Sequence, residues 1–386
     1  MTSTEQATTP GGAVGRTGSG GDRPLTVVMV TRRPPTESGG VERVVTGLLT
    51  ELARIRPAWQ VETVSAFPAR SRLAGMDGLA DLVASLRLGW RVRHSTADVI
   101  FVHCPECLWG IRLLRRLRGG QGPRGAPPLV AVWHGAGPEP HLRLRRPGHP
   151  LAWALARIRT AGERRALRID GHIAVHARVA NDLRSLYGLR DGVTIIENAV
   201  DGAILDRVSG PAERPVRSGL NALWVGQSGY LKGLDVALAA VAEARRDLPE
   251  LRLSVVGVAA GKPTEGVDWL GVLSPAKMAA AYRAADLLIF PSRYESFGLV
   301  TIEAMAAGLP VIVSDVIASG IVTDGRNGAV VTGHHPAGYA AALRRLADPA
   351  LRAAIAQTNR EDVRRFSAGS VGAGYVAVAE SLAPSQ

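Results

Sequence analysis

The chain has 386 residues, long enough for two domains that each bury a core. Hydrophobic residues make up 46%, yet no apolar run reaches the roughly 18–20 residues that span a bilayer, and the chain does not open on a charged segment followed by a hydrophobic one, so a soluble, cytoplasmic protein is expected. The formal charge of +12 is almost wholly arginine, since Lys232, Lys262 and Lys277 are the only lysines; such a surface attracts anions, but 5% aromatic content with no motif interleaving rings and basic groups argues against nucleic acid.

Residues 1–23, rich in Thr, Gly and Ser without an apolar period, read as a disordered tail. Leu25 to Thr31 is a buried-strand run. A loop from Arg32 to Gly40 follows, then a helix carrying Val41, Val44, Val45, Leu48, Leu49 and Leu52 at helical spacing. Further strands are predicted over 60–65, 99–103, 129–134, 172–176 and 193–196, mostly separated by helical stretches, which argues for a parallel doubly wound sheet. His103 and His134 each close one of these strands, and Gly135-Ala136-Gly137 leaves room for a ligand beside His134. Cys104-Pro105-Glu106-Cys107 has redox or half-zinc spacing without a second pair, so a structural thiol pair is expected. From His141 to Arg168 there are eight arginines and one glutamate, a solvated basic helix or a patch for an anionic membrane surface or acceptor.

A second alternating series occupies 222–226, a helix over 233–246, then 251–257, 286–290 and 311–314. Two such sheets joined near 199–219 enclose a cleft, and open α/β sheets bind ligands beyond the carboxyl ends of their strands. The loop from Gly226 to Gly233 follows the first strand of this series. The strand ending at Phe290 is stopped by Pro291 and leads into Glu295 and Glu303, with seven residues between them. Glu295 falls on the loop and Glu303 in the next helix, whose first amides, near Ser296, Phe297 and Gly298, suit an anion. Carboxylates accept from hydroxyls and amides donate to phosphate, which matches a nucleotide sugar, with hydroxyls at both ends and a diphosphate between. The run Gly257 to Pro263 is one residue short of a phosphate loop and has proline in place of Ser or Thr, so an ATPase is rejected. No Asp-x-Asp occurs; no essential metal is expected, and Lys232 with helix-terminal amides must handle charge. The closing segment, about 349–383, is alanine-rich and helical, with Phe366 and Tyr375 as docking residues.

Residues 282–316 resemble the Glu-x7-Glu signature of the retaining glycosyltransferase family 4, with weaker echoes from residue 25 onward. The resemblance implies an α/β GT-B fold: two Rossmann-like doubly wound domains facing a central cleft, 24–200 on the acceptor side and 201–365 on the donor side, with 366–386 a helix crossing back. It implies that Glu295 contacts the donor sugar, that Glu303 holds the ribose, that Phe297, Gly298 and Leu299 line sugar and phosphate, and that Lys232, in the loop opened by Gly226, binds the diphosphate. Gln227 stands where the family usually has arginine, so one positive charge is missing and Arg293 is a candidate to replace it. Val132-Trp133-His134-Gly135 resembles the strand-end His-Gly of the family, which implies His134 beside the anomeric carbon, and His103 looks like a second such histidine facing the acceptor. His176, where relatives carry serine, is read as structural. Gly39, Gly40, Glu42 and Arg43 resemble the Gly-Gly-x-Glu-Arg opening, in which Gly40 lets a ligand approach the backbone. Asn198, within a stretch similar to the interdomain Asn-Gly-Val-Asp, is a donor-site candidate.

The implied activity moves a sugar from a nucleoside-diphosphate sugar, a co-substrate rather than a resident cofactor, to an acceptor hydroxyl with the anomeric configuration retained. A natural-product acceptor of aminocyclitol type, as in antibiotic biosynthesis, suits the arginine-for-lysine skew, while a glycan or lipid-linked acceptor at an anionic membrane suits the basic helix. A sugar-nucleotide epimerase or a catalytically silent homologue are the readings from other classes.

Overall fold

The computed structural model describes residues 24–35, 40–68, 79–117, 126–135, 150, 164, 167–189, 192–200, 206–208, 219–227, 229–318 and 320–383. Expectations for the tail 1–23, for Gly39, for most of the arginine-rich stretch 141–168 and for most of the junction 201–218 lie outside these residues.

Among the described residues the strands form two parallel sheets. The first holds β1 (Thr26–Thr31), β2 (Gln60–Ser65), β3 (Val99–Val102), β4 (Leu129–Trp133), β5 (Gly171–Ala174) and β6 (Val193–Ile195), in the spatial order β2-β1-β3-β4-β5-β6. Every residue of β3 and β4 is buried, as parallel strands covered on both faces require, whereas the edge strands β2 and β6 are largely exposed. Helix α1 (Gly40–Ile55) buries Val44, Val45, Leu48 and Leu52, the stripe anticipated from its spacing. It is followed by α2 (Leu79–Val92), α3 (Leu108–Leu117) and α4 (Ala177–Tyr187).

The second sheet holds β7 (Asn221–Val225), β8 (Arg252–Val256), β9 (Val267–Gly271), β10 (Leu287–Phe290), β11 (Val311–Ser314) and β12 (Gly328–Val331), in the order β12-β11-β10-β7-β8-β9. Its helices are α5 (Leu234–Ala244), α6 (Pro275–Ala284), α7 (Leu299–Ala306), α8 (Asp315–Ala318), α9 (Pro336–Arg345), α10 (Pro349–Asp362) and α11 (Ala368–Leu382). Strands β9 and β12 are absent from the sequence reading. Both are edge strands: β9 is half-exposed and contains an aspartate, and β12 is short and opens on glycine, so neither shows the apolar run that marks a central strand. Chain order reverses between β7 and β10, which lie side by side although β8 and β9 intervene in sequence.

The last helix returns to the first sheet. Tyr375 on α11 packs its ring 5.2 Å from that of Phe101 in β3, Arg56 pairs with Glu380 at 3.0 Å, and Phe366 accepts a backbone hydrogen bond from Val200 at 3.1 Å. The Phe366 ring is fully buried, edge-on to Phe297 at 5.8 Å. Phe366→Ala is expected to cost about 3–5 kcal/mol, the range for emptying a buried phenylalanine site. Urea unfolding checks it, and a loss below about 1 kcal/mol would show that this ring does not hold the return crossing.

Candidate functional site

Two loops leave the carboxyl ends of the adjacent strands β7 and β10 and are tied to each other. Arg293 donates its backbone N–H to the Leu231 carbonyl at 2.8 Å, and Ser292 Oγ donates to the same oxygen at 3.2 Å. Trp224 Nε1 donates to the Lys232 carbonyl at 3.0 Å. Gly233 begins α5 at φ +68°, and a Cβ there would run into the Pro291 carbonyl, so only glycine lets the loops approach this closely. Gly226 is similarly crowded, by Trp224 and the Lys232 stem.

This tie brings Lys232 to Glu295. The ammonium lies 2.5 Å from Glu295 Oε2 and donates to the Tyr294 carbonyl at 3.3 Å, and both side chains keep some exposure, 26% and 15%. An ammonium has three donors, and two are used among the described residues. Gly298 then caps α7 at φ +91°; its carbonyl accepts from the Thr301 N–H at 2.9 Å, while the N–H groups of Leu299 and Val300 have no partner within the helix. The Thr301 hydroxyl beside them is buried and, among the described residues, unpartnered. Phe297 turns its ring into the core, edge-on to His176 and Phe366, so only its backbone is left to meet a ligand.

Glu303 sits within α7 and is 4% exposed. Its Oε1 accepts from Arg43 Nη1 at 2.9 Å and its Oε2 from the Tyr282 hydroxyl at 2.8 Å. The first contact crosses from α1 in the first sheet's half of the chain to α7 in the second's. The Tyr282 phenol is pushed well above its ordinary pKa, by burial first and by the Glu303 carboxylate next, and so stays a donor. The sequence reading did not name Tyr282, and it named Arg43 only within the glycine motif. A lone tyrosine in the last turn of an alanine-rich helix is the signal that marks the former.

Across the cleft, His134 and Gly135 follow β4. A Cβ on Gly135 would stand 3.3 Å from the Tyr294 hydroxyl and 3.6 Å from Ser296, so this strand end faces the Glu295 loop at close range. His103 does not face an acceptor space as expected. It is 4% exposed, its ring stacks on Tyr375 of α11, and its Nδ1 lies 3.0 Å from His134 Nε2. His176 caps α4, accepting from the Arg178 N–H at 3.2 Å, which fits its structural reading.

Gln227 is exposed on its loop, open to solvent and to a ligand. The Arg293 guanidinium is forked onto Asp235 at 2.7 and 2.6 Å, so in the free protein its charge is already paired. Arg164, from the basic stretch, spends its guanidinium on the Leu186 carbonyl. Gly40 starts α1 with open space where a Cβ would point, and Asn198 is buried just beyond β6. Cys104 and Cys107 are buried free thiols, the Cys104 thiol pushed up by its hydrogen bond with Cys107 and by burial.

Paired parallel sheets, a reversal of strand order, and an amide-rich helix start beside a lysine define a two-domain α/β architecture suited to nucleotides. The description "Glycosyltransferase Family 4" matches residues 38–203, and "Glycosyl transferases group 1" matches 219–348. A D-inositol 3-phosphate glycosyltransferase of Streptomyces scabiei is 31% identical over 387 residues, covering 89% of this chain and 83% of that protein. The protein of the same name from Acidothermus cellulolyticus is 35% identical over 216 residues, a match spanning 48% of each, so the chain spans about half the length of that relative. Among solved structures, Anabaena Alr3699/HepE in complex with UDP-glucose superposes with a TM-score of 0.68 at 17% identity, over 92% of this chain and 100% of that one. The chain belongs to glycosyltransferase family 4, a family of sugar transferases, and has its two-domain GT-B fold.

Burial lowers the His134 pKa from 6.5 to about 4, and burial followed by the charge of His134 holds His103 well below its ordinary value. Between those limits the unfolded chain binds more protons than the folded one, so this contribution to stability is complete above pH about 6.5 and is lost as the pH falls toward about 4. The melting temperature is expected to fall on acidification through this window, and less steeply in His134→Gln. Equal slopes in the two proteins would contradict the assignment.

Proposed function

We propose that the protein transfers a sugar from a nucleoside-diphosphate sugar to an acceptor hydroxyl with retention of the anomeric configuration. The observation that carries this reading is that Lys232 meets Glu295 at the adjoining carboxyl ends of β7 and β10, where α7 starts and carries Glu303. In the proposed complex the third N–H of Lys232 and the amides of α7 take the diphosphate, Glu303 the ribose and Glu295 the sugar hydroxyls, with His134 beside the anomeric carbon. As the bond from C1 to the leaving phosphate oxygen breaks, the acceptor oxygen bonds to C1 from the same face. Its proton passes to that phosphate oxygen, so no protein base is required and no metal is called on.

For the acceptor we propose a small polyhydroxylated ring of the cyclitol class, in natural-product or glycan biosynthesis, supported by the inositol phosphate in the names of the relatives. No helix among the described residues is long and apolar enough to cross a membrane, and we place the reaction in the cytoplasm.

A panel of nucleotide sugars tests the donor seat. One of them is expected to raise the melting temperature by mass action and to lose that effect in Glu303→Ala. If no nucleotide sugar shifts the wild type, the donor assignment fails; conversion of donor without any acceptor would identify an epimerase instead. Gln227→Arg restores the missing charge and is expected to tighten donor binding about tenfold, near 1.4 kcal/mol. Unchanged affinity would mean that position 227 does not reach the diphosphate.

A further inference from the structure

We propose that His103 is a positioning residue which donates its Nδ1–H to His134 Nε2 and thereby holds His134 as the Nδ1–H tautomer, a hydrogen-bond donor at the site. The 3.0 Å contact between the two rings contains one proton and can be drawn two ways. If His134 donates, Nδ1 of His103 is bare and the His103 proton must sit on Nε2. That atom is buried and, among the described residues, has no hydrogen-bond partner. A buried N–H without an acceptor is rare in proteins, and its desolvation goes uncompensated. If His103 donates, Nε2 is left as a lone pair, the better-tolerated orphan. The second arrangement is therefore the one this pocket selects. Burial also keeps both rings neutral, which removes the alternative of a shared imidazolium.

The packing around His103 fixes its ring as well as its proton. Its plane lies within 10° of the Tyr375 ring at 6.2 Å, and within 28° of the His134 ring at 5.3 Å, the centroid separation that an edge-to-edge N–H···N contact of 3.0 Å gives. Tyr375 belongs to α11, so the returning helix closes the pocket that sets the tautomer of His134. With Nε2 occupied as an acceptor, the nitrogen His134 has left to offer a ligand is protonated. It can donate to a sugar hydroxyl or to the oxygen departing from C1, and it cannot remove a proton. This consequence rests on the proposed sugar transfer, and it agrees with a reaction in which the leaving phosphate, not a side chain, takes the acceptor proton.

Long-range 1H–15N correlation on protein labelled at histidine reads the tautomer directly, with His134→Gln and His103→Leu assigning the signals. In the wild type at neutral pH, His134 is expected to appear protonated at Nδ1 with Nε2 accepting. In His103→Leu it is expected to move toward the Nε2–H form that free imidazole side chains prefer. His103→Asn, whose amide N–H can take the place of Nδ1–H, is expected to keep the Nδ1–H form. Transfer activity should follow the tautomer: a fall in kcat of about ten- to hundredfold in His103→Leu, the range for losing a group that orients a site residue, with donor KM nearly unchanged and with recovery in His103→Asn. Wild-type His134 protonated at Nε2, or a tautomer indifferent to His103→Leu, overturns the proposal. The wild-type measurement decides alone if His103→Leu fails to fold. An inactive protein whose His134 is nevertheless the Nδ1–H tautomer would sink the transferase reading and leave this inference standing.

Discussion

Strand β10 lies against β7, and the candidate site depends on that adjacency. Lys232 and Glu295 are separated by 63 positions in the chain, yet their loops emerge from neighbouring strand ends and come within 2.5 Å. The contact needs glycine at position 233, because the Pro291 carbonyl occupies the space a side chain would take. Once the loops are joined, the start of α7 and the lysine face the same space. Both contribute positive potential there, one through helix-terminal amides and one through a full charge.

The two acidic side chains are held on different terms. Glu295 and Lys232 are both partly exposed, and an ion pair of that kind is worth about 0–1 kcal/mol, so the lysine is held only weakly in the free protein. Glu303 is 5% exposed in its side chain, while its partner Arg43 is 39% exposed. Removing the arginine would take one charge-assisted hydrogen bond from a buried carboxylate, a loss of about 1.5–3 kcal/mol. Arg43 thus couples the two halves of the chain through the residue assigned to the ribose. The proposed donor seat and one of the contacts between the two halves thus share one carboxylate. At the other end of the cleft, α11 covers His103 with Tyr375 and so reaches the histidine pair.

What could be read from the sequence follows physical strength. Central strands such as β3, β4, β10 and β11 are wholly buried, and their unbroken apolar runs announced them to within a residue or two. The edge strands β9 and β12 carry little apolar signal because half of each faces water or is glycine. The motif around Glu295 and Glu303 indicated which residues matter but not what they touch in the free protein. The pairing of Glu303 with Arg43 spans 260 positions, and no local pattern encodes it. The forked bond from Arg293 to Asp235, 58 positions away, is likewise beyond any local pattern. His103 was visible as a strand-end histidine, but its burial comes from a helix near the far end of the chain.

A crystal structure with an intact nucleoside-diphosphate sugar tests the donor seat most directly. The account predicts the diphosphate on Lys232 Nζ and the first amides of α7, the ribose hydroxyls on Glu303, and the sugar between Glu295 and His134. A nucleotide bound elsewhere, or one whose ribose lies out of hydrogen-bond reach of Glu303, would contradict it.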